Sequence, residues 1–187
     1  MLIDLLSKFA FAYSRLLNYL LVHGQKKLFI QNAESRVHPS FRLGTENSLI
    51  ITPKAKFDIA ENVTLNQHNF ITVKDSACLK IGKETYITRA TISCLGTIEI
   101  GENCILGEGL KMFDHNHHYT KDPFSVSKTD FKVGKIKMGN NVWTGANVTI
   151  LKDVHIGDNV IIGANLLIYK DVPANTTLIL NQDQRRM

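Results

Sequence analysis

Aliphatic residues recur every six positions between Met138 and Ile179. The residues that open each block of six are Met138, Thr144, Ile150, Ile156, Ile162, Ile168 and Ala174. A second set lies four positions later and consists of Val142, Val148, Val154, Val160, Leu166, Val172 and Leu178. This period fits neither an α-helix nor one long alternating strand. It fits a chain that turns a corner every six residues, so that three short strands close one triangular coil.

Stacked coils would turn the two aliphatic sets into one continuous core, which defines a parallel β-helix. Small or turn-prone residues follow the opening position of many blocks, namely Gly139, Gly145, Gly157, Gly163 and Asn175. We expect glycine at these corners to permit a backbone conformation that a Cβ atom would hinder. Less regular blocks begin near Ile59, with shifts in phase before Ile81 and Ile100. We interpret these shifts as bulged corners within one β-helix domain of residues 25–180.

The repeat stops after Met112 and resumes at Met138. The gap is much longer than the single block of six residues that would continue the coil. In a rigid solenoid, such an insertion projects from a corner. Residues 113–135 are therefore predicted to form a projecting loop, and long loops in compact domains are usually functional. Three histidines lie close together at its start, and they are His115, His117 and His118. The chemistry is expected at this loop.

Leucine and aromatic residues at three- and four-residue spacing predict an N-terminal helix over residues 1–24, ended by Gly24. Asp4, Lys8 and Arg15 interrupt its apolar run, which argues against a transmembrane span, and no secretory signal pattern is present. Two interpretations stay open. The helix packs on its own β-helix or a sister subunit, or it lies on a membrane surface. Residues 181–187 are predicted to form a polar tail.

The chain has 22 Lys and Arg against 17 Asp and Glu, a formal net charge of +5. This excess weakly favours anionic partners such as a phosphorylated cofactor or an acidic membrane surface. No Lys/Arg run with interleaved aromatic residues is present, so nucleic acid is not expected as a partner. Cys78, Cys94 and Cys104 lack metal-like spacing and are interpreted as reduced packing residues of a cytoplasmic protein.

These motifs resemble the hexapeptide-repeat acyltransferases, and more closely the galactoside and maltose O-acetyltransferases and the bacterial capsule and lipopolysaccharide O-acetyltransferases. The resemblance covers about residues 79–178. Its most specific parts are residues 96–103, 114–118, 138–145, 163–164 and 170–173. It implies an all-β, left-handed parallel β-helix, to which the N-terminal α-helix and the projecting loop are added.

The resemblance also implies acetyl transfer from acetyl-CoA to a sugar hydroxyl, for which a neutral imidazole is a suitable base. It assigns the base to His115, with His117 or His118 as alternatives that otherwise contact the substrate. The neighbouring Asp114 is a candidate to orient the His115 ring, and a backbone carbonyl is the other candidate. Arg89 stands where relatives often carry an asparagine near the acceptor, and it is interpreted as a contact for an anionic sugar.

An oxyanion needs preplaced donors, and the resemblance assigns them to backbone N–H groups of residues 144–146. Trp143 is interpreted as a wall for the pantetheine arm or the sugar, with packing against the loop or a neighbouring subunit as the alternative. Lys170 is expected near the nucleotide phosphates. The residues implied for coenzyme A are Trp143, Gly145, Ala146, Gly163, Ala164 and Lys170.

The expected function is O-acetylation of a bacterial surface polysaccharide or its precursor. N-acetylation of an amino sugar is the alternative, and a zinc hydrase and a catalytically silent scaffold are less favoured classes. No metal is expected, because the histidines cluster on the loop instead of at strand positions. The resemblance implies a homotrimer with sites between neighbouring β-helices. The membrane-surface interpretation of the helix would place the protein at the inner face of a membrane.

Overall fold

The structure, a computed structural model, describes residues 2–30 and 35–180. Helix α1 (Leu2–Ile30) continues past Gly24, where the sequence predicted its end. No helix in the described residues is long and apolar enough to cross a membrane. The predicted C-terminal tail at 181–187 lies outside the described residues.

Three parallel sheets, called sheets A, B and C, form the faces of a triangular prism, and the chain visits them in that order. Sheet A contains β1 (Arg36–Val37), β4 (Lys56–Ile59), β7 (Cys78–Ile81), β10 (Thr97–Ile100), β15 (Lys135–Met138) and β18 (Val154–Ile156). Sheet B contains β2 (Arg42–Leu43), β5 (Thr64–Leu65), β8 (Tyr86–Ile87), β11 (Ile105–Leu106), β16 (Trp143–Thr144), β19 (Ile161–Ile162) and β21 (Thr177–Leu178). Sheet C contains β3 (Ser48–Ile51), β6 (Phe70–Val73), β9 (Ala90–Cys94), β12 (Leu110–Phe113), β17 (Thr149–Ile150) and β20 (Leu167–Ile168). The predicted parallel β-helix is confirmed.

The two aliphatic sets form the core of the prism, as the six-residue period predicts. The first set is buried up to Ile168, and its last member, Ala174, is exposed where the coils end. The second set is buried except for Leu166 and Leu178, which are partly buried. Each fully buried Val, Leu or Ile contributes roughly 1.5–3 kcal/mol relative to an exposed one, so the stacked coils stabilise one another.

Corner glycines are needed for close stacking of the coils and do not supply an unusual backbone conformation. A Cβ on Gly82 would lie 2.6 Å from the carbonyl oxygen of Gly101, and one on Gly145 would lie 2.6 Å from the Ala164 nitrogen. The left-handed conformation is adopted two positions after the glycine, by asparagine, as at Asn141 (φ 55°) and Asn159 (φ 58°). The conformational reason that the sequence suggested for these glycines was therefore wrong.

The outer surfaces of the sheets differ in charge. On sheet A, residues of opposite charge face one another on neighbouring strands, as in the register Arg36, Asp58, Lys80 and Glu99. On sheet B, exposed apolar side chains are aligned across four strands, and they are Tyr86, Ile105, Trp143 and Ile161. Lys111 is the one charged residue in the six strands of sheet C. Arg42 is likewise the one charged residue in the strands of sheet B, so sheets B and C are both better suited than sheet A to burial against protein.

Glu99 has a lysine on each side along sheet A. Its carboxylate accepts hydrogen bonds from Lys80 Nζ (3.2 Å) and lies 3.0 Å from Lys135 Nζ. Burial works to raise the pKa of Glu99, but the hydrogen bonds and charges of the two lysines hold it below its usual value. A carboxyl group with a lowered folded pKa stabilises the fold above its unfolded pKa, and this stabilisation is lost as the pH falls through the folded pKa.

Glu99→Gln should therefore lower the free energy of unfolding at pH 7 by about 0.5–1 kcal/mol, a range appropriate to partly exposed ion pairs. The loss should diminish at a pH low enough to protonate the folded-state carboxyl group of Glu99. Urea denaturation at both pH values measures it. Glu61→Gln is the control, since Glu61 is exposed and has no ion pair among the described residues. An equal loss at both pH values would show that the ion pairs do not cause it.

Candidate active site

The insertion forms a two-stranded antiparallel hairpin, where the sequence predicted a loop. Strand β13 (His115–Lys121) pairs with β14 (Phe124–Val133), and the cis peptide Asp122–Pro123 lies at the turn. The hairpin leaves the prism where the chain passes from sheet C to sheet A, a position called the C–A edge. Alternation of apolar and polar residues in 124–127 and 131–133 was the sequence signal that could have found the second strand.

Asp114 lies at the base of the hairpin and is completely buried. Its Oδ1 accepts a hydrogen bond from the Leu95 N–H (2.9 Å), and its Oδ2 accepts one from the Gly96 N–H (2.8 Å). Its carbonyl oxygen accepts a hydrogen bond from the Gly134 N–H (2.7 Å), which closes the base of the hairpin. A buried carboxylate requires donors of this kind, because burial removes its contact with water.

Aspartates occupy the C–A edge in other coils as well. Asp75 Oδ1 accepts a hydrogen bond from the Lys54 N–H (3.1 Å), and Asp171 Oδ1 accepts one from the His155 N–H (2.7 Å). Both side chains are exposed, whereas Asp114 is buried. Lys-Asp pairs at 74–75, 152–153 and 170–171 are the sequence signal of this series, which the motifs considered above do not include. Asp114 is thus a recurrent structural aspartate, distinguished by burial and by its contact with His115.

The His115 ring is held from two sides. Its Nδ1 lies 3.0 Å from Asp114 Oδ1, and its edge meets the Phe131 ring at 90° with 5.2 Å between centroids. The side chain is 13% exposed. Because a carboxylate only accepts hydrogen bonds, Nδ1 carries the proton of the neutral ring and Nε2 carries the free lone pair. The arrangement leaves Nε2 available to take a proton from a ligand.

The other two histidines of the hairpin have different surroundings. His117 Nδ1 lies 2.8 Å from the Ser127 carbonyl oxygen, and its ring packs on Phe131 at a centroid distance of 4.6 Å. His118 is exposed. Neither ring is oriented by a carboxylate, so His115 is the histidine whose environment best fits a base.

The remaining residues predicted for the site lie on more than one edge of the prism. Gly145 and Ala146, like Gly163 and Ala164, stand where the chain passes from sheet B to sheet C, called the B–C edge. Arg89 shares this edge, and its guanidinium pairs with the Glu108 carboxylate. His115 and the exposed Lys170 lie on the C–A edge, and Trp143 is 52% exposed on sheet B. One chain therefore does not bring these residues into a single cleft.

Backbone N–H groups at the B–C edge separate into two kinds. Those of Gly145 and Gly163 donate to the carbonyl oxygens of Ile162 and Leu178, both at 2.7 Å, and so hold the coils together. Those of Ala146 and Ala164 have no hydrogen-bond acceptor among the described residues. Within the predicted donor group of residues 144–146, the Ala146 N–H is thus available to a ligand, whereas the Gly145 N–H is already used.

Cys94 is buried beside Asp114. Burial, and then the charge of Asp114, raise the pKa of the Cys94 thiol, and burial likewise raises the pKa of Cys104. A thiol with a raised pKa stays protonated and unreactive near neutral pH, as expected of a packing residue. No group of three His, Cys, Asp or Glu side chains within residues 2–30 and 35–180 is arranged to hold a metal ion.

Comparisons with known proteins identify the class of this fold. Residues 135–170 match the family model of the bacterial transferase hexapeptide (six repeats). An acetyltransferase of Vibrio cholerae O1 biovar eltor complexed with acetyl coenzyme A is 21% identical, with a TM-score of 0.51 over 82% of this chain and 67% of that one. The polySia-specific acetyltransferase NeuO is 19% identical, with a TM-score of 0.58 over 79% of this chain and 69% of that one.

A galactoside acetyltransferase in complex with coenzyme A is 24% identical, with a TM-score of 0.52 over 83% of this chain and 73% of that one. No curated protein sequence matches the chain. Residues 135–170 therefore carry hexapeptide repeats of the kind that the bacterial transferase family model describes. The fold of the chain is the left-handed β-helix expected from the resemblance and shared with these acetyltransferases.

Proposed function

We propose that the protein is an acetyl-CoA-dependent O-acetyltransferase that acetylates a sugar hydroxyl of a bacterial surface polysaccharide or its precursor. The observation that carries the proposal is the His115 imidazole, held by the buried Asp114 with its Nε2 lone pair free. Two proteins of the same fold are complexed with acetyl coenzyme A or coenzyme A, and a third is specific for polySia. These likenesses support a coenzyme A thioester as donor and a saccharide as acceptor.

In the proposed reaction, His115 Nε2 takes the proton of the acceptor hydroxyl while the oxygen attacks the thioester carbonyl carbon. The carbonyl oxygen becomes an oxyanion in the tetrahedral intermediate. The carbon–sulfur bond then breaks, and the departing thiolate receives the proton from Nε2, so that charge and protons balance. The Asp114 side chain accepts the Nδ1–H hydrogen bond and stabilises the imidazolium that forms between the two proton transfers.

Donor binding is proposed for the B–C edge. The N–H groups of Ala146 and Ala164, which have no acceptor among the described residues, supply donors, the first for the oxyanion and the second for the pantetheine arm. Gly145 and Gly163 keep the backbone at this edge open to the arm because they carry no side chain. We assign Trp143 to the wall of the donor or sugar site. Lys170 lies on the C–A edge, and we assign it, from a neighbouring copy, to the nucleotide phosphates.

Acceptor binding is proposed for the hairpin on the C–A edge and for Arg89 on the B–C edge. His118 is exposed, and His117 lies on the same hairpin as the base, so both are placed to contact sugar hydroxyls. Arg89 offers a cation to an anionic sugar, although its pairing with Glu108 reduces the charge available.

A homotrimer would bring these two sets of residues together. Sheet C lies between the B–C edge and the C–A edge, and its strands carry only Lys111 as a charged residue. Packing three copies with their sheets C toward a common axis would set the B–C edge of one copy beside the C–A edge of the next. The separation of His115 from Ala146 within one chain supports this composite site.

Complementation between two inactive variants tests the composite site. His115→Ala disables the C–A edge, and Ala146→Glu blocks the B–C edge, so each variant should be inactive as a homotrimer. In a mixed trimer, a site is active when an intact His115 from one copy faces an intact Ala146 from the next. On co-expression, random mixing of the two variants should therefore restore about a quarter of the sites. No recovery in mixed trimers, or an active monomer in sedimentation equilibrium, would contradict the shared site.

The proposed reaction is tested by free-thiol release from acetyl-CoA across neutral sugars, sialic acid polymers and amino sugars. We expect release of the coenzyme A thiol to require an acceptor with a hydroxyl group. The acetylated product should be cleaved by hydroxylamine, as esters are. A hydroxylamine-resistant product formed from amino sugars would favour the N-acetyltransferase alternative. Absence of both acetyl-CoA binding and thiol release with every acceptor would overturn the proposal.

A further inference from the structure

Helix α1 has an apolar side that is exposed in the part of the chain that the structure describes. With 3.6 residues per turn, its larger apolar residues fall within an arc of about 100°. We call this set the apolar stripe, and it consists of Leu6, Phe9, Tyr13, Leu16, Leu17 and Leu20. Its side chains range from 44% exposed at Leu17 to 73% exposed at Phe9. Such a continuous exposed apolar surface is unusual for a helix of a globular protein.

The opposite side of α1 is the one that docks on the β-helix. Val22 packs against the core, Gln25 Nε2 donates a hydrogen bond to the Asn47 carbonyl oxygen (2.6 Å), and Lys26 Nζ lies 5.5 Å from the Phe41 ring centroid. These three residues share the polar side of the helix with Asn18. The usual orientation of an amphipathic helix is thus reversed, because the polar side faces the body of the protein and the apolar stripe faces away.

The charges of α1 indicate what covers the stripe. Besides Lys26, which lies against Phe41, its sequence up to Lys27 carries Lys8, Arg15 and Lys27 against the single acid Asp4. An amphipathic helix with an excess of basic residues and Phe and Leu on its apolar side is typical of helices that lie in the surface of an anionic bilayer. The reversed orientation fits this location, because the apolar stripe enters the lipid while the β-helix remains on the aqueous side.

We propose that α1 binds an anionic lipid surface, with the apolar stripe buried among the headgroups and upper acyl chains. The β-helix itself then does not need to enter the membrane, since the described contacts between α1 and the β-helix come from Val22, Gln25 and Lys26. The proposal is independent of the reaction catalysed. It attaches the protein to the membrane by hydrophobic contact and by attraction between basic side chains and lipid phosphates.

Two phenylalanines on opposite sides of α1 provide a matched test. Phe9 lies in the apolar stripe and is 73% exposed, whereas Phe11 lies among the polar residues and is 65% exposed. The full chain is sedimented with phosphatidylcholine vesicles that contain or lack phosphatidylglycerol. We expect Phe9→Ser to weaken binding to the anionic vesicles by about tenfold or more, the effect of removing one buried phenylalanine from lipid. Phe11→Ser should change binding by less than about twofold.

Binding should also weaken severalfold for vesicles of phosphatidylcholine alone and at high salt, because each basic residue near an anionic surface contributes about a fivefold change. Equal effects of Phe9→Ser and Phe11→Ser, or binding that ignores the lipid charge, would overturn the proposal. Failure of the unaltered protein to bind vesicles would overturn it too. If Phe9→Ser instead dissociates the oligomer in sedimentation equilibrium, the stripe is a contact between copies and the proposal is wrong.

Discussion

Replacing His115 by alanine should lower kcat for acetyl transfer by a factor of about 10²–10⁴, the usual contribution of a general base. The fold and the affinity for acetyl-CoA should change little. The ring contacts Asp114 and Phe131 at the base of the hairpin and is not part of the prism core. Initial rates of thiol release measure kcat, and calorimetric titration with coenzyme A measures the affinity.

His118→Ala is the matched control, because His118 lies on the same strand but is exposed and is not oriented by a carboxylate. It should retain kcat within about tenfold and change mainly the KM for the sugar, as expected for a residue that contacts substrate without taking its proton. If His118→Ala removed catalysis and His115→Ala did not, the base would have to be reassigned to His118.

The fold was predictable because each coil of the prism repeats the same pattern of inward-facing residues. A residue such as Ile150 or Val160 points inward in every block of six, and the inward columns therefore predict the stack without knowledge of distant contacts. The break after Met112 likewise located the hairpin, since an insertion cannot enter a stack of closely packed coils.

The internal structure of the site was less predictable. Whether Asp114 is buried depends on the hairpin closing over it through the Gly134 N–H, a contact that no period in the sequence encodes. Asp114 and Asp171 both accept backbone hydrogen bonds at the C–A edge, a likeness that becomes visible only when the coils are superimposed along this edge. Sequence motifs near Trp143 and Gly163 suggested a single site. The structure places the predicted residues on different edges of the prism, so one chain alone does not bring them together.

The two proposals concern different parts of the molecule and complement each other. The hairpin with His115 emerges from the middle coils, whereas α1 docks on the first coil near Phe41 and Asn47. A protein attached to a bilayer through α1 would encounter acceptors that are themselves attached to lipid at a raised local concentration. Membrane attachment would then increase the rate with a lipid-linked acceptor and leave the rate with a free sugar unchanged.

Asp114→Asn should damage both the fold and the reaction, because one carboxylate serves the Leu95 and Gly96 N–H groups and His115 at once. An amide offers one acceptor oxygen, so at least one of the three donors loses its partner. Leaving a buried donor unpaired costs about 1–3 kcal/mol, which should appear as a lower free energy of unfolding in urea. If the amide donates to Nδ1, the ring proton moves to Nε2 and the base is lost. We therefore expect kcat to fall by a factor on the order of 10² or more with the KM for acetyl-CoA unchanged.

Asp171→Asn separates the structural role from the positioning role. Asp171 also accepts a backbone hydrogen bond on the C–A edge, from the His155 N–H at 2.7 Å, but it is exposed and does not contact His115. It should lose about 1 kcal/mol of stability or less and retain full kcat. If Asp114→Asn resembled Asp171→Asn in keeping kcat, Asp114 would serve only to tie the coils together. The orientation of His115 would then have to come from the hairpin and its contact with Phe131.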